Sequence, residues 1–309
     1  MNRVKKYLSI ICKKPVVVPR IARALAMTYL TGKMQFRGAE LAVTYQCQAT
    51  CDKCSTRSLI QKGRPEMTVE QIAAIANTLA RAGAVLIDLT GGEPLLRRDI
   101  DDIVCRLSRL PVILSMATNG LLLNEARLRS LRNNGLHVIQ FGLSSPDASD
   151  HDAILGVPGG FDRIITAIEL TRKLGMEVLI NTVVTKEMLH SDKLGRLVRW
   201  AQGRSCFLSL IMPASVGGWA GRPVSLDKED YLKIKAWLKQ PFVTTDTETC
   251  YQKNKCPAGK EKVYISPYGD LYPCPFIQQK AGNLLESDFQ KLWRSMQHAC
   301  YDHCVNVNA

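Results

Sequence analysis

The chain has 309 residues, 46% hydrophobic and 22% charged, with a formal net charge of +13. That is enough for one barrel-sized domain and a smaller appendage, and the composition excludes a low-complexity, collagen-like or acidic disordered chain. No run reaches the ~18 consecutive apolar residues of a membrane span, and the apolar run 15–19 is too short for the core of a secretory signal. A cytoplasmic protein is expected, and its eleven cysteines then read as metal-binding or redox groups before disulfides.

Residues 1–39 form a basic arm. No acid precedes Glu40, whereas Arg3, Lys5, Lys6, Lys13, Lys14, Arg20, Arg23, Lys33 and Arg37 supply nine positive charges. Val4, Tyr7, Leu8 and Ile11 fall on one helical face. Pro15 and Pro19 interrupt, and a second amphipathic stretch over 20–31 puts Ile21, Leu25 and Tyr29 on one stripe. Such an arm suits the anionic surface of a membrane's inner face; an arm docked on the domain that follows is the even alternative. Nucleic acid is not expected, because no aromatic residues interleave with the basic ones.

From residue 40 the pattern is strand–helix alternation. Strands are expected at 41–45, 85–90, 112–118, 138–143, 177–184 and 206–211. Helices are expected near 68–82, 97–109, 123–133, 160–174 and 190–202, the first opened by a Thr68–Gln71 capping box. Six such units predict a parallel sheet with right-handed crossovers, either open or curled into a partial barrel. Residues 213–222 read as a loop and 228–240 as a helix. A hairpin follows, with strands at 262–266 and 271–273 around a turn at 267–270. The expected divisions are 1–39, 40–215 and 216–309.

Cys47, Cys51 and Cys54 follow the first strand, at the C-terminal face where βα barrels build active sites. Three thiolates on one loop can wrap a corner of a four-iron cluster and leave one iron open; a zinc knuckle is the structural alternative. The Cys-x3-Cys-x2-Cys spacing, Gly91-Gly92-Glu93-Pro94 after the second strand, and Thr118-Asn119-Gly120 after the third together resemble the radical S-adenosylmethionine (SAM) superfamily. The resemblance covers about residues 40–215. It implies a partial (β/α)6 TIM-like barrel, SAM chelated to the open iron, and reductive cleavage to a 5′-deoxyadenosyl radical that abstracts hydrogen from substrate. It also implies that Gly91, Gly92, Glu93, Pro94, Thr118 and Asn119 face SAM, with Glu93 pairing with its ammonium. Ser144, Asn181 and Met212 are implied as ribose, carboxylate and adenine contacts. Lys53 departs from the pattern, standing where many members carry an aromatic residue.

A second group, Cys250-x5-Cys256-x17-Cys274 and Cys300-x3-Cys304, surrounds the hairpin. With the phrase from Ile265 to Pro275, it resembles the SPASM and twitch auxiliary-cluster regions. Five cysteines allow one auxiliary cluster, making two [4Fe–4S] clusters in all. The resemblance favours Cys250, Cys256, Cys274 and Cys304 as ligands, with Cys300 as the alternative; zinc is the structural alternative. Cys12, Cys105 and Cys206 read as ordinary small apolar residues.

The expected function is a radical SAM enzyme, an oxidoreductase or a former of C–C or C–X bonds, acting on a membrane-associated, lipid-like substrate or a small metabolite. A peptide- or protein-modifying enzyme is the alternative. A non-catalytic iron–sulfur redox protein is the alternative of another class, and Gly91–Pro94 argues against it. An acidic electron donor such as flavodoxin or ferredoxin suits the basic arm.

Overall fold

The computed structural model describes residues 14–246 and 256–297. A single ten-stranded sheet organises them, in the order β10-β9-β8-β1-β2-β3-β4-β5-β6-β7. The six expected strands are β1 (Gly38–Thr44), β2 (Leu86–Gly91), β3 (Ile113–Thr118), β4 (Val138–Gly142), β5 (Glu177–Val183) and β6 (Phe207–Ile211), and each pairs parallel with the next. The fold is that of a partial TIM-like barrel.

Four further strands complete the sheet. β7 (Val243–Thr245) adds parallel to β6. β8 (Lys262–Ile265) and β9 (Asp270–Tyr272) form the expected hairpin, and β10 (Gly282–Asn283) pairs with β9. β8 also pairs parallel with β1, from Gly38–Lys262 to Leu41–Ile265, so one sheet runs through both the barrel and the cysteine-rich segment.

The strands alternate strictly between two environments. Leu41, Ile87, Leu114, Ile139, Ile180 and Leu208 pack into the main core beneath the helices. The opposite face is polar at mid-height. Asp88 accepts from Ser115 Oγ (2.6 Å) and Gln140 Nε2 (2.8 Å), and Gln140 Oε1 accepts from Asn181 Nδ2 (2.8 Å). This belt of hydrogen bonds crosses four adjacent strands, so its members share the inner face.

The helices of eight or more residues are α1 (Val18–Thr31), α2 (Val69–Ala82), α3 (Ile100–Ser108), α4 (Glu125–Asn133), α5 (Ala148–Leu155), α6 (Gly160–Lys173), α7 (Lys193–Gly203), α8 (Lys228–Trp237) and α9 (Phe289–Gln297). α2 opens on the expected box, with both reciprocal hydrogen bonds formed. α3 starts three residues later than expected, because Pro94–Leu96 form a short 3-10 turn first. α5 and α9 were not foreseen.

α1 corrects the expected stripe. Val17 and Ile21 turn inward and pack on Ile113, Val138 and Leu179, at the bottom of the barrel's inner face. Arg20 donates to the carbonyls of Ala80 and Ala84, and Lys14 to that of Ser108. Leu25 and Tyr29 point away. Of the expected stripe only Ile21 packs inward, and Thr28 is buried in place of Leu25 and Tyr29.

Candidate active site

Each barrel strand delivers its C-terminal end to the same rim, where the site is assembled. Past β1 the chain turns into the cysteine loop. That loop is held by backbone bonds from Thr50 N to Leu155 O (3.1 Å) and Asp52 N to Ile154 O (3.3 Å). α5 thus serves as its shelf. A second hold comes from the Gly-rich segment after β6, read from sequence only as a loop. Gly218 N donates to Cys54 O (2.9 Å), and a Cβ on Gly218 would lie 1.9 Å from Asp52 O. Only glycine permits that approach. Trp219 Nε1 and the Arg222 guanidinium converge on the Asp52 carboxylate at 2.8–3.0 Å.

All three thiols are free and at least partly accessible. Burial pushes Cys47 up and Cys51 up to about 11, so holding them as thiolates calls for the positive charge of bound iron. Among the described residues, no three His, Cys, Asp or Glu groups converge on one ion-sized point. A cubane asks for separated thiolates, each on its own iron. Three accessible thiols on one loop are the donor set that such a cluster needs.

Gly91-Gly92-Glu93 extends the β1–β2 ladder beside this loop. Gly92 N donates to Thr44 O and Glu93 N to Gln46 O, each at 2.8 Å. Gly91 has φ +139°, and an added Cβ there would meet Thr44 O at 1.9 Å. Glu93 is wholly buried. Its carboxylate accepts from Thr118 Oγ1 (2.8 and 2.9 Å), Asn119 N (2.8 Å) and Leu95 N (3.1 Å). Burial nevertheless pushes its pKa up to about 7. Glu93 is thus a hub that ties β2 to β3, with its oxygens occupied by protein donors. Pro94 is buried and starts the turn that follows. Asn119 reaches on to Cys47, Nδ2 to Sγ at 3.8 Å. Glu93, Thr118, Asn119 and Cys47 therefore meet at one place.

Ser144, past β4, lines a cavity of about 230 Å³ with Asp52, Lys53, Ser145, Thr185 and Trp219. Lys53 has no hydrogen-bond or ion-pair partner among the described residues, and burial holds its pKa down to about 8. Ser144 N donates to His151 Nδ1 at 3.2 Å. His151 is buried, its Nε2 has no partner, and burial drives it down to about 4, so it stands neutral. Nothing in the sequence singled it out; an isolated histidine in a short helix carries no signal of its own. Asn181 sits in the polar belt below the rim. Met212 is buried just past β6, its N–H 3.4 Å from Asp246 Oδ1.

In the second group, Cys256 and Cys274 come together in one apolar cluster with Ala258, Phe276 and Ile277. Cys250, Cys300 and Cys304 lie outside the described residues. The two cysteine groups are linked through Gln278, which donates to Ser55 O (2.8 Å) and accepts from Ser58 Oγ (2.6 Å).

Residues 41–193 match the Radical SAM superfamily, and residues 256–306 match the SPASM iron–sulfur cluster-binding domain. The AdoMet-dependent heme synthase of Nitratidesulfovibrio vulgaris is 25% identical over 288 residues, covering 83% of this chain and 78% of its own. The PqqA peptide cyclase of Rhodopseudomonas palustris is 24% identical over 278 residues, covering 83% of this chain and 73% of its own. Streptococcus suis SuiB, solved bound to precursor peptide SuiA, superposes with a TM-score of 0.68 at 19% identity, over 88% of this chain and 68% of that one.

The chain is a radical SAM enzyme with a SPASM-type auxiliary-cluster region. Its cofactors are SAM and [4Fe–4S] clusters. Among the described residues no helix is long and apolar enough to cross a membrane.

Proposed function

We propose that the chain modifies a peptide, with Cys47, Cys51 and Cys54 holding the SAM-binding cluster and Cys256 and Cys274 holding part of the auxiliary one. The observation that carries this reading is similarity over 83% of the chain to a relative named as a peptide cyclase. The peptide substrate replaces the lipid-like substrate or small metabolite expected from the sequence.

When bound, the first cluster supplies the electron for reductive cleavage of SAM. The chain's own residues do the rest. The glycines at 91 and 92 bring bare backbone to the loop edge. Glu93 locks Asn119 beside Cys47. Ser144 and Lys53 offer a hydroxyl and an ammonium to the cavity beside the cysteine loop. The polar belt of Asp88, Gln140 and Asn181 lies on the barrel's inner face below them, where it can hydrogen-bond a substrate entering from the rim.

A second reading, a small-molecule reaction of heme synthesis, is favoured by the AdoMet-dependent heme synthase match over 78% of that relative. One experiment separates them. The enzyme is incubated anaerobically with SAM, reductant and deuterium-labelled extract, split into peptide and small-molecule fractions. Label entering 5′-deoxyadenosine from the peptide fraction supports the proposal; label only from the small-molecule fraction overturns it.

A further inference from the structure

We propose that the outward face of α1 docks the protein on an anionic lipid bilayer. Eleven large hydrophobic side chains stand exposed among the described residues, and six of them, Val16, Val18, Leu25, Met27, Tyr29 and Leu30, fall within fifteen consecutive positions. The other five are scattered singly, as on any protein surface. Tyr29 is 91% exposed and Leu30 77%. The helix is not loose: Val17, Ile21 and Arg20 pin its inner side to the barrel floor. The outer side is therefore presented rigidly, and none of the described residues covers it.

The charge around the patch selects the occupant. Arg23 and Lys33 are exposed and have no ion-pair partner among the described residues. In sequence, the arm has nine basic residues and no acid before Glu40. Exposed apolar side chains interspersed with cations that lack an ion-pair partner among the described residues match a surface that is hydrocarbon below and anionic at the headgroups. A second copy of the chain fits poorly, because a two-fold contact would set these cations against each other.

The geometry also fixes the orientation. α1 contacts Ile113 and Val138, the first residues of β3 and β4, whereas the cysteine loop follows the last residue of β1. Docking through α1 therefore turns the active-site rim away from the bilayer. The contact would set where the enzyme works and would not feed it a lipid chain.

Deleting the arm would uncover Ile113, Val138 and Leu179, so point variants are the better test. The holoenzyme is sedimented anaerobically with vesicles of phosphatidylcholine alone and with vesicles that also contain phosphatidylserine. Two variants are compared, Tyr29→Ser with Leu30→Ser, and Arg23→Gln with Lys33→Gln. The wild type should bind only the anionic vesicles and lose binding as salt is added. Each double variant should bind about tenfold or more weakly, with unchanged circular dichroism and unchanged SAM cleavage. Equal binding to neutral and anionic vesicles overturns the proposal, as do variants that bind like wild type. Self-association lost in the Tyr29/Leu30 variant, without vesicle binding, would assign the face to a second copy and overturn it as well.

Discussion

Replacing Asp88 with Asn should remove a pH-dependent strain from the barrel interior. Asp88 is buried, and desolvation pushes its pKa up from 3.8 to about 7, with Glu40 adding to the rise. Ser115, Gln140 and Lys262 act the other way but do not cancel it. The folded protein therefore holds a proton that the unfolded chain releases. Folding stability is highest below the unfolded pKa and falls as pH rises towards about 7, after which the loss is complete. A shift of roughly 3 units corresponds to about 4 kcal/mol in total, of which about 2 kcal/mol falls between about pH 5.5 and pH 8. Asn is isosteric, and its Oδ1 can still accept from Ser115 and Gln140. Asp88→Asn should therefore flatten the stability–pH slope by about 2 kcal/mol over that range in anaerobic urea unfolding. Infrared spectroscopy gives an independent readout: a protonated-carboxyl band that titrates near pH 7 in the wild type and is missing from the variant. Parallel slopes and an unchanged infrared band would refute the reasoning.

Cys47→Ala, Cys51→Ala or Cys54→Ala should each abolish 5′-deoxyadenosine formation, and the triple variant should keep about half the iron, in the C-terminal site; stoichiometric zinc there would mark a structural metal instead. Gly92→Ala puts a Cβ 2.3 Å from Gln46 O, so it should displace the cysteine loop and weaken SAM binding by calorimetry, with the circular dichroism spectrum retained. Asp270 is buried and accepts from Arg64 (2.6 Å), Lys280 (2.7 Å) and the buried Asn283 amide (2.8 Å), and Asp270→Ala should cost about 1–3 kcal/mol, chiefly by leaving that amide without its acceptor. Limited proteolysis should then cut first in the β8–β9 hairpin; an unchanged melting temperature would contradict this.

The six barrel strands and the two cysteine groups were legible because both signals are local. Apolar runs of five to seven residues recur between helical stretches, and cysteine spacing needs no tertiary context. What escaped depends on distant partners. β7 and β10 are three and two residues long, too short for any periodicity, and exist because β6 and β9 offer them edges. α5 buries only His151 and Leu155, so its apolar pattern is too sparse to announce a helix. The carboxylate of Glu93 reads from sequence as a partner for the SAM ammonium. Its bonds from Thr118 and Asn119 could not be read there, because they join residues on separate strands. The Gly217–Trp219 clasp looked like a plain loop because its glycines matter only against the cysteine-loop backbone.

The joining of β8 to β1 changes how the auxiliary segment should be viewed. Four residues of β1 are paired on one side with β2, which leads into Gly91-Gly92-Glu93, and on the other with β8, which leads towards Cys274. The Gly91-Gly92-Glu93 loop and the segment that bears Cys274 are thus carried by three neighbouring strands. Arg64 crosses to Asp270, and Gln278 crosses back to Ser55 and Ser58, so the two loops are also tied directly. A swinging appendage would need a hinge where the seam instead has continuous ladder bonds. The separation of the two cysteine groups is therefore built into strand register.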